Sequence, residues 1–304
     1  MRGISLGMIV VLFAVSGSLP AWADEKLAAD LNEEVVRLPV TLADAAHGPV
    51  SRKMVVTQYR PDGSGPFPLV VISHGRSGGY AERAKPARFR YIEAARYFVH
   101  KGFAVLVPTR IGYGESGRDI DPESSGFCSF ADYSSLLAAA PAQVMAALDY
   151  GRQLPWVDGK RILLLGQSVG GLTTTATAAL NPPGVVAAIN FAGGSGGSPQ
   201  AHPGVPCRAE RLEQAYAEMG KRAHVPMLWI YTQNDKYFGP DYSQSWAKAY
   251  QQGGAALDYR LLPAFGDNGH FLFARGAEIW MPLLDEYLKR FGFNKPGLVA
   301  QSGE

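Results

Sequence analysis

The sequence predicts an α/β fold: a mostly parallel central sheet with an antiparallel N-terminal edge and helices on both faces. Three observations predict it. Continuous apolar runs recur along the chain, as expected of strands covered on both faces. Helix-compatible stretches separate those runs. The first two extended segments instead alternate polar with apolar residues and have no helix between them.

In chain order, Glu34–Thr41 and Arg52–Tyr59 alternate and carry β-branched residues, so they read as a pair of edge strands. Arg60-Pro61-Asp62-Gly63 opens a turn. The buried-strand pattern then takes over at Pro68–Ser73, Phe103–Pro108, Arg161–Leu165, Val185–Ile189 and Pro226–Tyr231, with Leu257–Leu262 as a last strand. Helices are expected at about Arg90–Lys101, Ala131–Arg152, Leu172–Leu180, Arg208–Lys221, Tyr242–Gln252 and Ala277–Phe291. No repeat, low-complexity tract or long linker divides the chain. It reads as one domain over 24–304, with a small rim insertion around 192–225.

Composition removes several classes. The 304 residues are 47% hydrophobic and 18% charged, which suits a packed core and not a disordered chain. A net charge of +2 gives no basic excess for nucleic acid. The 35 glycines and 21 prolines follow no triplet period.

Residues 1–23 read as a signal peptide. Arg2 precedes an apolar run from Ile4 to Val15, and Ala21-Trp22-Ala23 forms a small-residue cleavage site. The apolar run is short for a membrane span, and no later stretch is long enough for one. A periplasmic or secreted product without stable membrane insertion is expected. In such a compartment the isolated pair Cys128 and Cys207 reads as a disulfide. Both lie in excursions that leave the same edge of the sheet. No metal site is expected, because two cysteines without nearby histidines fall short of a four-ligand shell. No cofactor is expected.

The strongest chemical signal is Arg161-Ile162-Leu163-Leu164-Leu165-Gly166-Gln167-Ser168-Val169-Gly170-Gly171. A buried strand runs straight into G-x-S-x-G and then into a helix. That context makes Ser168 a candidate nucleophile. Serine needs a base and the base needs an orienting acid, in the chain order Ser, acid, His. His270, in the loop after the last strand, is the candidate base, and His202 is expected to line the pocket. Asp235, just past the strand 226–231, is the candidate acid; Asp267 is a rival on the histidine's own loop. An oxyanion needs two donors. The backbone N–H of Val169 and, by position, that of Arg76 in Ser73-His74-Gly75-Arg76 are the candidates. His74 is expected to brace that loop. Tyr113, Tyr237 and Phe271 are candidate substrate contacts. Arg76 and Arg110 are expected either to bind a substrate carboxylate or to pair with an acid such as Glu82 or Glu115.

With these residues assembled, the chain resembles the α/β-hydrolase superfamily, and within it the dienelactone-hydrolase-like and acetylhydrolase-like esterases. The resemblance rests on Ser73-His74-Gly75-Arg76, Gly112-Tyr113-Gly114-Glu115-Ser116-Gly117, Gly166-Gln167-Ser168-Val169-Gly170-Gly171, Asn234-Asp235 and Gly269-His270, and covers roughly residues 50–290. Dienelactone hydrolase itself carries a cysteine nucleophile where Ser168 stands here. The resemblance implies a serine esterase acting on a small-molecule ester through an acyl-enzyme. Two other readings stay open: a serine peptidase or amidase of this fold, and a binding protein on it that has lost activity.

Overall fold

The computed structural model describes residues 26–44, 48–77, 79–117 and 119–294. The signal segment read at 1–23 lies outside them. The chain first forms a long antiparallel pair, β1 (Glu34–Asp44) and β2 (Gly48–Tyr59), in register from Glu34 opposite Gln58 to Asp44 opposite Gly48. β3 (Phe67–Ser73) follows, then the short α1 (Tyr80–Ala84), α2 (Ile92–His100) and β4 (Ala104–Thr109). The second half alternates regularly: α3 (Ser134–Gln153), β5 (Val157–Gln167), α4 (Val169–Ala178), β6 (Val185–Phe191), α5 (Ala209–Gly220), β7 (Met227–Thr232), α6 (Pro240–Gln252) and β8 (Leu257–Leu262). It closes with α7 (Leu272–Arg275) and α8 (Ala277–Lys289).

All eight strands share one sheet in the order β1-β2-β4-β3-β5-β6-β7-β8. β1, β2 and β4 pair antiparallel, and every pairing from β4 through β8 is parallel. The antiparallel N-terminal edge and parallel body expected from the patterning are both present.

Continuous apolar strands are explained by a sheet covered twice. Leu69 and Val71 of β3, with Ile162 and Leu164 of β5, pack into a core with α3–α6 side chains such as Leu148, Leu172, Tyr216 and Trp246. Their neighbours Val70, Ile72, Leu163 and Leu165 point the other way, onto Phe98 of α2 and Trp280 and Leu284 of α8. Period-two alternation thus feeds two cores from one run of apolar residues. β8, at the far edge, is half-buried along its whole length.

Among the described residues, no helix is long and apolar enough to cross a membrane. Cys128 and Cys207 form the expected disulfide, with Cα atoms 5.0 Å apart across 79 residues of chain. It ties the turn after β4 to the segment after β6.

Candidate active site

The site grows from the junction of β5 and α4. β5 ends at Gln167, α4 begins at Val169, and Ser168 alone makes the turn. Its backbone sits at φ 60° and ψ −127°, a conformation costly for a residue with a Cβ. Packing holds it there. The Ser168 amide donates to the Phe191 carbonyl at 2.9 Å, and its carbonyl accepts from Gly171 and Gly194 at 2.8 and 3.2 Å. The flanking glycines are required by contact: a Cβ on Gly166 would lie 2.1 Å from the Gly170 carbonyl oxygen, and one on Gly170 would lie 2.0 Å from that of Ser73.

α4 is buried along its full length. Its threonines are tolerated because Thr173, Thr175 and Thr177 each donate to the carbonyl four residues back, at 2.8–3.0 Å. The helix therefore presents its N-terminus to Ser168 without orphaned hydroxyls from those three residues.

Asp235 and His270 meet at the same sheet edge. His270 Nδ1 lies 2.9 and 3.1 Å from the two carboxylate oxygens of Asp235. A carboxylate only accepts, so in the neutral imidazole the proton sits on Nδ1 and Nε2 carries the lone pair. Asp235 Oδ1 also accepts the amides of Tyr237 and Phe238, at 2.7 and 3.0 Å. Both side chains are buried.

Three polar residues that sequence reasoning gave no role hold this pair. Asn268 Oδ1 accepts from the amides of Lys236 and His270, joining the acid loop to the histidine loop. Asn234 does the same from the other side, accepting from Phe265 N and donating to Gly266 O at 2.9 Å each. Gln167 Nε2 donates to the His270 carbonyl at 3.1 Å, which ties the histidine to the residue before Ser168. Gly269 fits where a Cβ would lie 1.8 Å from Thr232 Oγ1. Their only signal in the sequence was adjacency to Asp235, His270 and Ser168.

The loop after β3 packs against the serine: a Cβ on Gly75 would lie 3.2 Å from Ser168 Cβ. Arg76 follows directly. Its guanidinium makes a bidentate pair with Asp121 at 2.9 and 2.6 Å, and Asp121 also takes Arg83 at 3.0 Å. Arg110 is fully buried, bonded to Glu123 at 2.6 Å and to the His74 carbonyl at 2.8 Å. The two arginines are thus committed to Asp121 and Glu123. The acids named as partners from the sequence are elsewhere: Glu82 pairs with Lys85 and Glu115 with Arg37.

His74 is buried beneath this loop, its ring stacked on Phe89 at 3.7 Å. Nε2 accepts the Arg110 amide at 3.0 Å, so Nδ1 carries the proton and donates to the Gly75 carbonyl at 2.6 Å. Burial, and then the charge of Arg110, push this imidazole well below the ordinary 6.5. It is a neutral brace.

The expected substrate contacts separate into two groups. Tyr237 is half-buried and stacks on His270 at 4.1 Å. Phe271 stands edge-on to it, with the Arg275 guanidinium 4.8 Å from its ring. Tyr113 corrects the expectation: it is fully buried, edge-on to the His74 ring, its hydroxyl 3.4 Å from Arg76 and Glu123. Burial, and then Glu123, raise its pKa, so it stays a neutral phenol inside the bracing layer.

The His202 ring lies beside both sulfurs of the disulfide, which corrects the expectation that the two cysteines have no histidine near them: chain spacing hid a contact that the fold makes. The bridge is close to the site. Gly194 touches Ser168, a Cβ on Gly197 would strike Tyr237, and Gly196 accepts the Cys207 amide at 2.9 Å. Beyond the bridge, Phe127 and Phe130 are 85% and 79% exposed.

Residues 69–293 match the family model described as "Alpha/beta hydrolase family". Among solved structures the chain is similar to a candidate dienelactone hydrolase of Klebsiella pneumoniae, at 16% identity and TM-score 0.54, over 86% of this chain and 98% of that one. It is similar to Est1E of Butyrivibrio proteoclasticus with ferulic acid bound, at 18% identity and TM-score 0.54, over 79% and 95% of the two chains. It is also similar to the acylaminoacyl peptidase of Pyrococcus horikoshii, at 15% identity and TM-score 0.58, over 90% of this chain but 43% of the peptidase. This chain thus spans less than half of the peptidase's length. At these identities the likeness is one of fold.

Proposed function

The chain belongs to the alpha/beta hydrolase family, and on that premise we propose that it is an exported serine hydrolase cleaving a small carboxylic ester through an acyl-enzyme. The observation that carries this reading is the buried Asp235–His270 pair held at the same sheet edge as a strained, glycine-flanked Ser168. His270 Nε2 takes the serine proton as Oγ attacks the ester carbonyl. The oxyanion is received by the N–H of Val169, the first residue of α4 and so without an intrahelical acceptor, and by the N–H of Arg76. His270 then returns the proton to the departing alcohol. Water repeats the sequence on the acyl-serine and releases the acid. Tyr237 and Phe271 flank the bound acyl or alcohol group.

An ester suits this machinery because an alkoxide is expelled more readily than an amide anion, so less complete protonation of the leaving group is needed. Ferulic acid on the Est1E structure is compatible with a small aromatic acid as product. Export is supported by the segment 1–23 and by the Cys128–Cys207 disulfide. The test is a chain-length series of activated esters beside matched anilides. Wild-type protein should be labelled by a fluorophosphonate, and Ser168→Ala should lose both labelling and turnover, by about 10³-fold or more. Retained turnover would overturn the serine assignment, and faster anilide cleavage would move the substrate to amides.

A further inference from the structure

We propose that reduction of the Cys128–Cys207 bridge converts this part of the rim into a Cys2His site for a divalent ion of the zinc class. His202 Nε2 lies 3.6 Å from Cys128 Sγ and 3.7 Å from Cys207 Sγ, and one ligand atom from each residue falls within a 4.8 Å cluster. Tetrahedral zinc, with Zn–S near 2.3 Å and Zn–N near 2.0–2.1 Å, sets sulfur-to-nitrogen edges of about 3.6 Å. Both such edges are already at that length. Only the two sulfurs must part, to about 3.8 Å.

The imidazole is held as metal-binding imidazoles are held. Nδ1 faces the Val205 carbonyl, which can only accept, so the proton is on Nδ1 and the Nε2 lone pair faces the sulfurs. The backbone around it is fixed. The His202 amide donates to Ser198 O at 3.0 Å, its carbonyl accepts from Val205 N at 3.0 Å, and Cys207 N donates to Gly196 O. Pro203 and Pro206 restrict the chain between the two ligands. Cys128 instead opens a three-residue 3-10 turn with no buried residue. A displacement of about 2 Å there, the difference between a disulfide bond and the tetrahedral edge, sacrifices little packing.

The chemistry balances with a dithiol as reductant. Two electrons and two protons pass from the dithiol to the bridge, its S–S bond breaks, and the dithiol leaves as a cyclic disulfide. The metal ion then displaces the two thiol protons, forms two metal–sulfur bonds and takes the Nε2 lone pair. The resulting site is neutral and keeps one position for water, the coordination of an open site. A coordinate link then joins the same two rim segments that the covalent one joined. The proposal goes beyond the hydrolytic reading and does not depend on it.

The test uses the full chain, reduced with dithiothreitol, freed of it by anaerobic gel filtration and titrated with Co2+. Tetrahedral d–d bands and thiolate-to-cobalt charge transfer should grow to one ion per chain, be bleached by Zn2+, and be absent from the oxidised protein. Loss of a ligand should cost at least the roughly 10–100-fold that loss of a supporting partner costs, so His202→Ala should weaken binding by that much. Cys128→Ser should lose most of the charge-transfer band. In unsubstituted, reduced protein, a paramagnetically shifted, exchangeable imidazole N–H should report the histidine directly, whatever the folding of the variants. A reduced chain without the tetrahedral spectrum, or a cobalt complex without that resonance, overturns the proposal.

Discussion

Ser168 is held in a conformation that glycine would adopt freely. Backbone strain of this kind costs on the order of 1–3 kcal/mol. Ser168→Gly should therefore raise the melting temperature while removing the proposed hydrolytic turnover, whereas Ser168→Ala should leave the melting temperature nearly unchanged. Calorimetry of the two variants checks this, and a destabilised glycine variant would contradict it. The residues of the proposed triad were legible because Ser168 is the glycine-flanked serine at which a buried strand runs straight into a helix, and chain order then points to Asp235 and His270. Gln167, Asn234 and Asn268 were not. A polar side chain next to a catalytic candidate looks the same whether it faces water or, like Asn268, binds an amide 32 residues away. Tyr113 was misplaced for a related reason: a loop aromatic gives no sign of which side of the loop it packs on.

At the scale of elements, the loop after β3 is shaped by what lies beneath it. His74 couples that loop to β4 through the Arg110 amide, and it does so as a neutral ring. Its depressed pKa gives a stability signature. In the unfolded chain this imidazole takes up a proton near pH 6.5, while in the folded chain it does not until well below that. The stabilisation is therefore complete above about pH 6.5 and declines as pH falls from there, by up to roughly 1.4 kcal/mol per pH unit. Denaturant titrations between pH 8 and 5 should show the decline, and His74→Gln should flatten it even though it lowers stability overall. An unchanged slope in the variant would count against a neutral buried brace. Element type followed from patterning, but boundaries moved where glycine misleads. The helix expected from Leu172 begins at Val169, because Gly170 and Gly171 serve close packing and not a turn. β5 starts at Val157, since Gly159 is accommodated where the strand's register shifts.

For the molecule as a whole, the order of strands was the least legible feature. β4 lies between β2 and β3, so the paired neighbours β2–β4 and β3–β5 are not consecutive in sequence. Hydropathy carries the face a residue points to, not the strand it lies beside. The disulfide was legible from an isolated cysteine pair, the expected compartment, and two excursions leaving the same sheet edge. Its closure of a 79-residue loop is worth about 4.5 kcal/mol in the chain-entropy model. The Cys128→Ser, Cys207→Ser double variant should lose up to that amount in equilibrium unfolding. It should also keep some turnover, because neither cysteine belongs to the Asp235–His270 pair or to the β5–α4 turn. An unchanged unfolding free energy would mean that the unfolded chain already holds the two segments together.

The arginines behind the proposed oxyanion loop bear on where such an enzyme can work. Arg110 and Glu123 have no solvent exposure, and Arg76, Arg83 and Asp121 have little. Dissolved ions shorten the reach of exposed charges to a few ångströms at molar strength but penetrate little between buried ones. The loop's geometry is therefore insulated from ionic strength, and kcat should hold nearly constant from dilute buffer to about 1 M sodium chloride. Exposed pairs such as Lys85–Glu82 and Lys221–Glu218 should weaken over that range without reaching the site. A steep fall in kcat with salt would show that the loop depends on charges nearer the surface. On the proposal that the protein is exported, a hydrolase built this way would keep its reaction centre constant where salinity is set by the surroundings.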